Sequence, residues 1–147
     1  MNTETLEKNK KIARQTFEAI EKNDMAILDK LYDQNNVKIH FPGASTPMNF
    51  NDFKKMNSDY IKAFPDAKVT IDFQISEGEY VCTHVTFNGT HKGEFQGIPA
   101  SNKKIQITTI TIDRFVNDKI VEEWNEFDQL GMMQQMGAVP EMETARK

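Results

Sequence analysis

The hydrophobic pattern of this chain changes period once, and that change divides it into a helical first half and a stranded second half. From 3 to 22, Leu6, Ala13, Phe17 and Ile20 recur at helical spacing, with Thr3 placed to cap the segment and Glu4 in its first turn. Asn23-Asp24 ends that helix and starts a shorter one carrying Met25, Leu28, Leu31 and Tyr32. After Asn35-Asn36, Val37, Ile39 and Phe41 alternate with Lys38 and His40, a short strand stopped by Pro42-Gly43. Residues 42–49 form a loop. A third helix from about Asn51 puts Phe53, Met56, Tyr60 and Phe64 on one stripe, and Pro65 terminates it.

From Lys68 onward the period is two. Val69, Ile71, Phe73 and Ile75 alternate with polar residues up to a turn at Glu77-Gly78. Over Glu79–Thr90, Val81, Thr83, Val85 and Phe87 oppose Tyr80, Cys82, His84 and Thr86. Asn88-Gly89 fits either a hairpin turn or a bulge in one long bent strand. Gly93, Gly97, Pro99 and Asn102 mark a loop, Ile105–Val116 and Lys119–Phe127 read as strands joined at Asn117-Asp118, and Asp128–Met136 reads as a helix with Leu130, Met133 and Gln134 on one side. Residues 141–147 are a polar tail expected to fray. The pattern predicts one α+β domain over 1–147, with N-terminal helices on one face of a bent antiparallel sheet. A sheet curled over helices leaves an apolar pocket between them, and such pockets bind small molecules.

Composition narrows the partners. The chain of 147 residues is long enough to bury a core, and 18 Lys+Arg against 22 Asp+Glu give a net charge of −4 without basic blocks. That argues against nucleic acid or an anionic membrane surface as partner. No apolar run approaches the roughly 20 residues that span a bilayer. The start lacks the apolar segment of a secretion signal, so a cytoplasmic location is expected. A single cysteine, Cys82, excludes an intramolecular disulfide and any Cys-pair zinc site, and reads as a buried inert thiol.

Candidate chemistry concentrates near the last strand. In a regular strand Trp124, Glu126 and Asp128 share a face unless a bulge intervenes. A carboxylate beside a large aromatic on an inward face has its pKa raised and suits proton transfer. Asp128 is equally a preferred helix N-cap, a role that stabilises the anion instead, and both readings stand. Glu122, Glu123 and Glu126 read mainly as a solvated acidic face. His40, His84 and His91 lie on or near strands with a spacing that matches no local metal motif, so no metal is expected. Tyr32, Tyr60 and Tyr80 supply hydroxyls for a ligand carbonyl or for packing. Met132, Met133, Met136 and Met142 read as flexible core.

Four stretches in register carry a resemblance: Ala63-Phe64-Pro65-Asp66, the run 89–99 with its G-x-H-x-G-x-F segment, the run 118–124 leading to Asp128, and Leu130 with Gln135-Met136-Gly137. In order and spacing they resemble the SnoaL-like polyketide cyclases, the ester cyclase family, over nearly the whole chain. The resemblance implies a nuclear-transport-factor-2-like (cystatin-like) cone, a strongly curved antiparallel sheet wrapped around the helices. It also implies cofactor-free intramolecular aldol chemistry on a small apolar carbonyl ligand, and a homodimer. Asp128 matches the family's general acid/base, and His91 and His40 fall where carbonyl oxygens are oriented. Trp124 and Phe41 are expected as pocket walls, with Tyr60 and Phe17 as ligand contacts. This chain departs from the family pattern at Glu123, where a histidine is frequent, at Phe17, where a tyrosine is common, and at Asn102, where glycine is usual. The alternative implied by the same fold is a non-catalytic small-molecule binding protein.

Overall fold

The computed structural model describes residues 2–140. Three helices come first: α1 (Thr3–Glu21), α2 (Met25–Leu31) and, after the short strand β1 (Lys38–His40), α3 (Phe50–Ala63). Strands β2 (Lys68–Glu77), β3 (Tyr80–Thr90), β4 (Lys104–Val116) and β5 (Lys119–Phe127) follow, and α4 (Gln129–Gln135) closes the described chain. The sheet order is β1-β5-β4-β3-β2. All neighbours are antiparallel except β1, which runs parallel to β5 because the chain passes through α3 and three strands before returning to it. The result is a curved, open α+β sheet with α1 and α3 on its concave side.

Helix starts follow short polar side chains. The cap of α1 is Asn2, whose carbonyl oxygen accepts from Thr5 N–H at 2.8 Å, so Thr3 is the first helical residue and not the expected cap. Asn49 caps α3 in the same way through Asp52 N–H. The buried stripe of α1 is Asn9, Ile12, Ala13, Thr16 and Ala19, which leaves Phe17 and Ile20 at its edge. One apolar core joins α1, α2 and α3 to Ile39, Val81, Phe115 and Ile120. A second gathers Phe64, Phe95, Ile105, Ile107, Met132 and Met136. Met132 and Met136 are therefore core, as expected, whereas Leu130 is exposed because the buried side of α4 is the methionine side. Met142 lies outside the described residues.

Two bulges decide which residues face inward. In β2 the register steps from Ile71↔Val85 to Phe73↔His84, so Asp72 is an extra residue. Val69 and Ile71 keep the inner face, but beyond the bulge Gln74 turns in, while Phe73 and Ile75 are exposed. The single apolar face expected for 69–75 is split there. In β5 the register steps from Phe115↔Ile120 to Arg114↔Glu122, which makes Val121 the extra residue. Ile120 is buried, and so are Glu123 and Asn125. Asn88-Gly89 is neither a turn nor a bulge: Asn88, Gly89 and Thr90 pair in regular register with Gln106, Ile105 and Lys104. The left-handed turn residue expected after Pro99 is present, since Asn102 has φ 58°.

Candidate functional site

Between the helices and the concave face lies a cavity of about 120 Å³. Phe17 and Ile20 reach it from α1, Phe53, Met56 and Tyr60 from α3, and Val85, Phe87, Ile107 and Phe127 from the sheet. A polar strip crosses this apolar wall. Thr111 and Asn125 are directly opposed on β4 and β5, and Asp113 opposes Glu123 two pairs further on, on the same face.

Among the described residues Glu123 is the only charged side chain lining the cavity, and it is 2% exposed. Its partners come from two directions. Tyr32 leaves α2 in extended conformation and bridges to Ile120, which brings its hydroxyl over β5, where it donates to Glu123 Oε1 at 2.6 Å. Asn125 Nδ2 donates to Glu123 Oε2 at 3.0 Å, and Thr111 Oγ1 donates to Asn125 Oδ1 at 2.9 Å. Behind Glu123 sits Asp113, fully buried, with neither carboxyl oxygen meeting a donor among the described residues. Burial first, and then the facing Glu123 carboxylate, pushes the Asp113 carboxyl well above the ordinary range. Burial also raises the Tyr32 hydroxyl, reinforced by the charges of Glu123 and Asp113, so Tyr32 remains a donor. Burial raises the Tyr60 hydroxyl on the opposite wall.

The expected site residues divide. Phe17, Phe41 and Tyr60 line the cavity together. Trp124 and His40 lie on the outer face of the sheet, stacked at 5.4 Å between ring centres, with His40 Nε2 2.7 Å from Glu122 Oε2. They do not line the cavity, because beyond the bulge at Val121 the even-numbered residues of β5 face outward. His91 is fully buried, but in the second core against Phe64, where its Nδ1 accepts the Ser101 N–H; it does not reach the cavity. Asp128 is exposed and caps α4, accepting from Gly131 N–H at 2.9 Å. A β-carbon on residue 131 would run into that carboxylate, which explains glycine there. The cap is the role the geometry gives Asp128; it is not a cavity carboxylate.

Glu123, Asp113, Tyr32 and Asn125 are thus the buried polar groups on this side of the sheet, and of these the sequence reading offers only Tyr32 as an inward hydroxyl. Asp113 carried a legible signal, an acid on the same parity as Ile105, Ile107 and Phe115. Glu123 carried none, because its facing depends on the Val121 bulge. His84 is on the outer face, bonded to Asp72 Oδ2 at 2.8 Å. No helix among the described residues is long and apolar enough to cross a membrane.

Comparison with known proteins fits this architecture. The family model for the SnoaL-like polyketide cyclases matches residues 10–136. Among solved structures, AclR of Streptomyces galilaeus, described as a candidate hydroxylase, superposes with a TM-score of 0.85 at 20% identity, covering 96% of this chain and 88% of its own. IdmH of Streptomyces antibioticus, described as a candidate polyketide cyclase, gives 0.79 at 26% identity over 88% of this chain and 98% of its own. A SnoaL-like protein of Jannaschia Sp. CCS1 gives 0.85 at 16% identity over 95% and 99%. Among curated proteins no match is found.

Proposed function

The chain belongs to the SnoaL-like polyketide cyclase family, and on that premise we propose that it performs cofactor-free proton transfer on a compact, uncharged carbonyl compound, with Glu123 as acid/base. The observation that carries this reading is a 2%-exposed carboxylate opening into an otherwise uncharged, largely aromatic cavity. Among the described residues seven aromatic rings line that space, and no lysine or arginine does. An anionic ligand would meet Glu123 without a compensating cation, so anions are disfavoured, and the carbonyl compound of this reading is taken as uncharged. Room of about 120 Å³ suits a ligand of roughly one ring.

The chemistry follows from the contacts. Glu123 takes a proton from the carbon next to the carbonyl; the C–H electron pair moves into an enolate. In this reading Tyr60, a lining residue on the α3 side, donates its hydroxyl to the developing oxyanion. After the enolate carbon attacks a second carbonyl, the new alkoxide takes the proton back from Glu123, so nothing is consumed. Tyr32 and Asn125 fix the carboxylate through its two oxygens and leave lone pairs for the proton.

A second reading, a binding protein without turnover, has one observation in its favour: both Glu123 oxygens already have donors, as in a purely structural polar cluster. The two separate by α-hydrogen exchange of acetophenone in heavy water, followed by NMR, for wild type and Glu123→Gln. Exchange should fall by about 10²-fold or more in the variant while acetophenone still binds. Equal exchange in both proteins would sink the acid/base assignment and leave the binding role.

A further inference from the structure

Asp113 is a fully buried acid on the inner face of the sheet that the proposed reaction does not itself use. It lies on β4 in register with Glu123 on β5 and Val81 on β3, so the strand ladders force the two carboxyl groups into adjacent positions on the inner face. Among the described residues neither Asp113 oxygen meets a donor, and both are sealed from solvent. The titratable groups facing it are Glu123 and Tyr32, with Cys82 close by on the outer face of β3; among the described residues none of the groups acting on it carries a positive charge. Two adjacent carboxylates in that setting repel with no cation to offset them, and an unpartnered buried acceptor pair is costly. One proton resolves both faults. It turns one Asp113 oxygen into a donor toward Glu123, whose own oxygens already take bonds from Tyr32 and Asn125 and are thereby fixed as acceptors.

We propose that Asp113 is a positioning residue that holds the single proton of the pair, donating it to Glu123 so that Glu123 stands as the base without any counter-cation. In the reaction the pair goes from one proton to two when Glu123 takes the substrate proton, and returns to one when the alkoxide is protonated. The catalytic role of this arrangement rests on the reading of Glu123 above; the proton on Asp113 does not, and is tested without any substrate. Folded Asp113 keeps a proton that the unfolded chain releases above about pH 4. Native protein therefore binds more protons than unfolded, and stability falls as pH rises toward the elevated folded value.

Urea unfolding at stepped pH from about 5 to 8 compares wild type with Asp113→Asn, in which the amide still donates to Glu123. The wild-type unfolding constant should climb about tenfold more per pH unit than that of the variant, the signature of one retained proton. Parallel curves overturn the proposal. Should the variant not fold, carboxyl-carbon NMR of wild type labelled at aspartate decides: one aspartate keeps a protonated shift at neutral pH, and its absence overturns the proposal. For catalysis, Asp113→Asn should leave the acetophenone KM unchanged and displace the pH profile of exchange, which a merely structural residue would not do. Absence of exchange in wild type sinks the function assigned to Glu123 and leaves the proton result standing.

Discussion

At Asp128 a carboxylate closes the first turn of α4, and at Glu123 a carboxylate faces an aromatic cavity; the same chemical group receives opposite work from its surroundings. The cap stabilises α4 by about 1 kcal/mol. Asp128→Ala should lower the melting temperature by an amount matching that loss, whereas Asp128→Asn, also a good cap, should leave both melting and acetophenone exchange near wild type. A loss of exchange in Asp128→Asn at unchanged stability would return the acid/base role to that residue. Tyr32→Phe makes a complementary prediction. It removes the 2.6 Å bond to Glu123 Oε1 and leaves that oxygen short of a donor, at a cost of about 1–3 kcal/mol in thermal or urea unfolding. His91, whose Nε2 is buried without a partner among the described residues, packs around Phe64 outside the cavity.

At the scale of elements, the bulge in β5 sorts the candidates. Deleting Val121 should regularise the β4–β5 ladder, keep Ile120 and Glu123 on the same face and leave a folded protein whose Trp124 emission is that of an outer-face residue. A shift of Trp124 to a buried emission would show that the bulge is misplaced. The turn from α3 into β2 is tied differently. Asp66 accepts the Thr90 hydroxyl at 2.6 Å and the Thr90 N–H at 2.7 Å, and these bonds hold its carboxyl below the usual range. A lowered folded pKa contributes stability above the unfolded value that disappears as pH falls through the folded one. Asp66→Asn should therefore lower the melting temperature at neutral pH and flatten the acid limb of the profile, the two proteins converging as pH falls below about 4. The helices, by contrast, were readable to within a residue or two, since Leu, Phe and Ile at helical spacing and a bounding Asn or Pro act locally.

For the whole molecule, the cavity is what α1, α3 and the curved sheet leave between the two apolar cores. Filling it is a test of its role. Val85→Phe places a ring into about 120 Å³ of space from the middle of β3, so stability should change by no more than about 1–3 kcal/mol while acetophenone binding, followed by NMR shifts, is lost. Unchanged binding would place the ligand elsewhere. The outer face remains apolar at Phe73, Ile75, Tyr80 and Ile110, with Trp124 stacked on His40 beside them. The aromatic expected to wall the pocket therefore belongs to the opposite side of the sheet.

What the chain determined by itself is local and periodic: the order of helices and strands, their ends at Pro65, Gly78 and Asn117-Asp118, the α+β class and the family pattern, with Phe17, Phe41 and Tyr60 as cavity residues. Each follows from spacing, turn chemistry or a motif read along the sequence. What tertiary structure alone decided is which carboxylate faces the cavity. Strand parity has a period of two, so one extra residue at Val121 exchanges the faces: Trp124 and Glu126 go out, Glu123 and Asn125 go in. A bulge is set by pairing with the neighbouring strand, here Phe115 with Ile120 and Arg114 with Glu122, and that pairing is absent from the order of residues along β5. The partnership of Asp113 with Glu123, and the arrival of Tyr32 from the far end of the chain, arise only when the strands and helices close on one another.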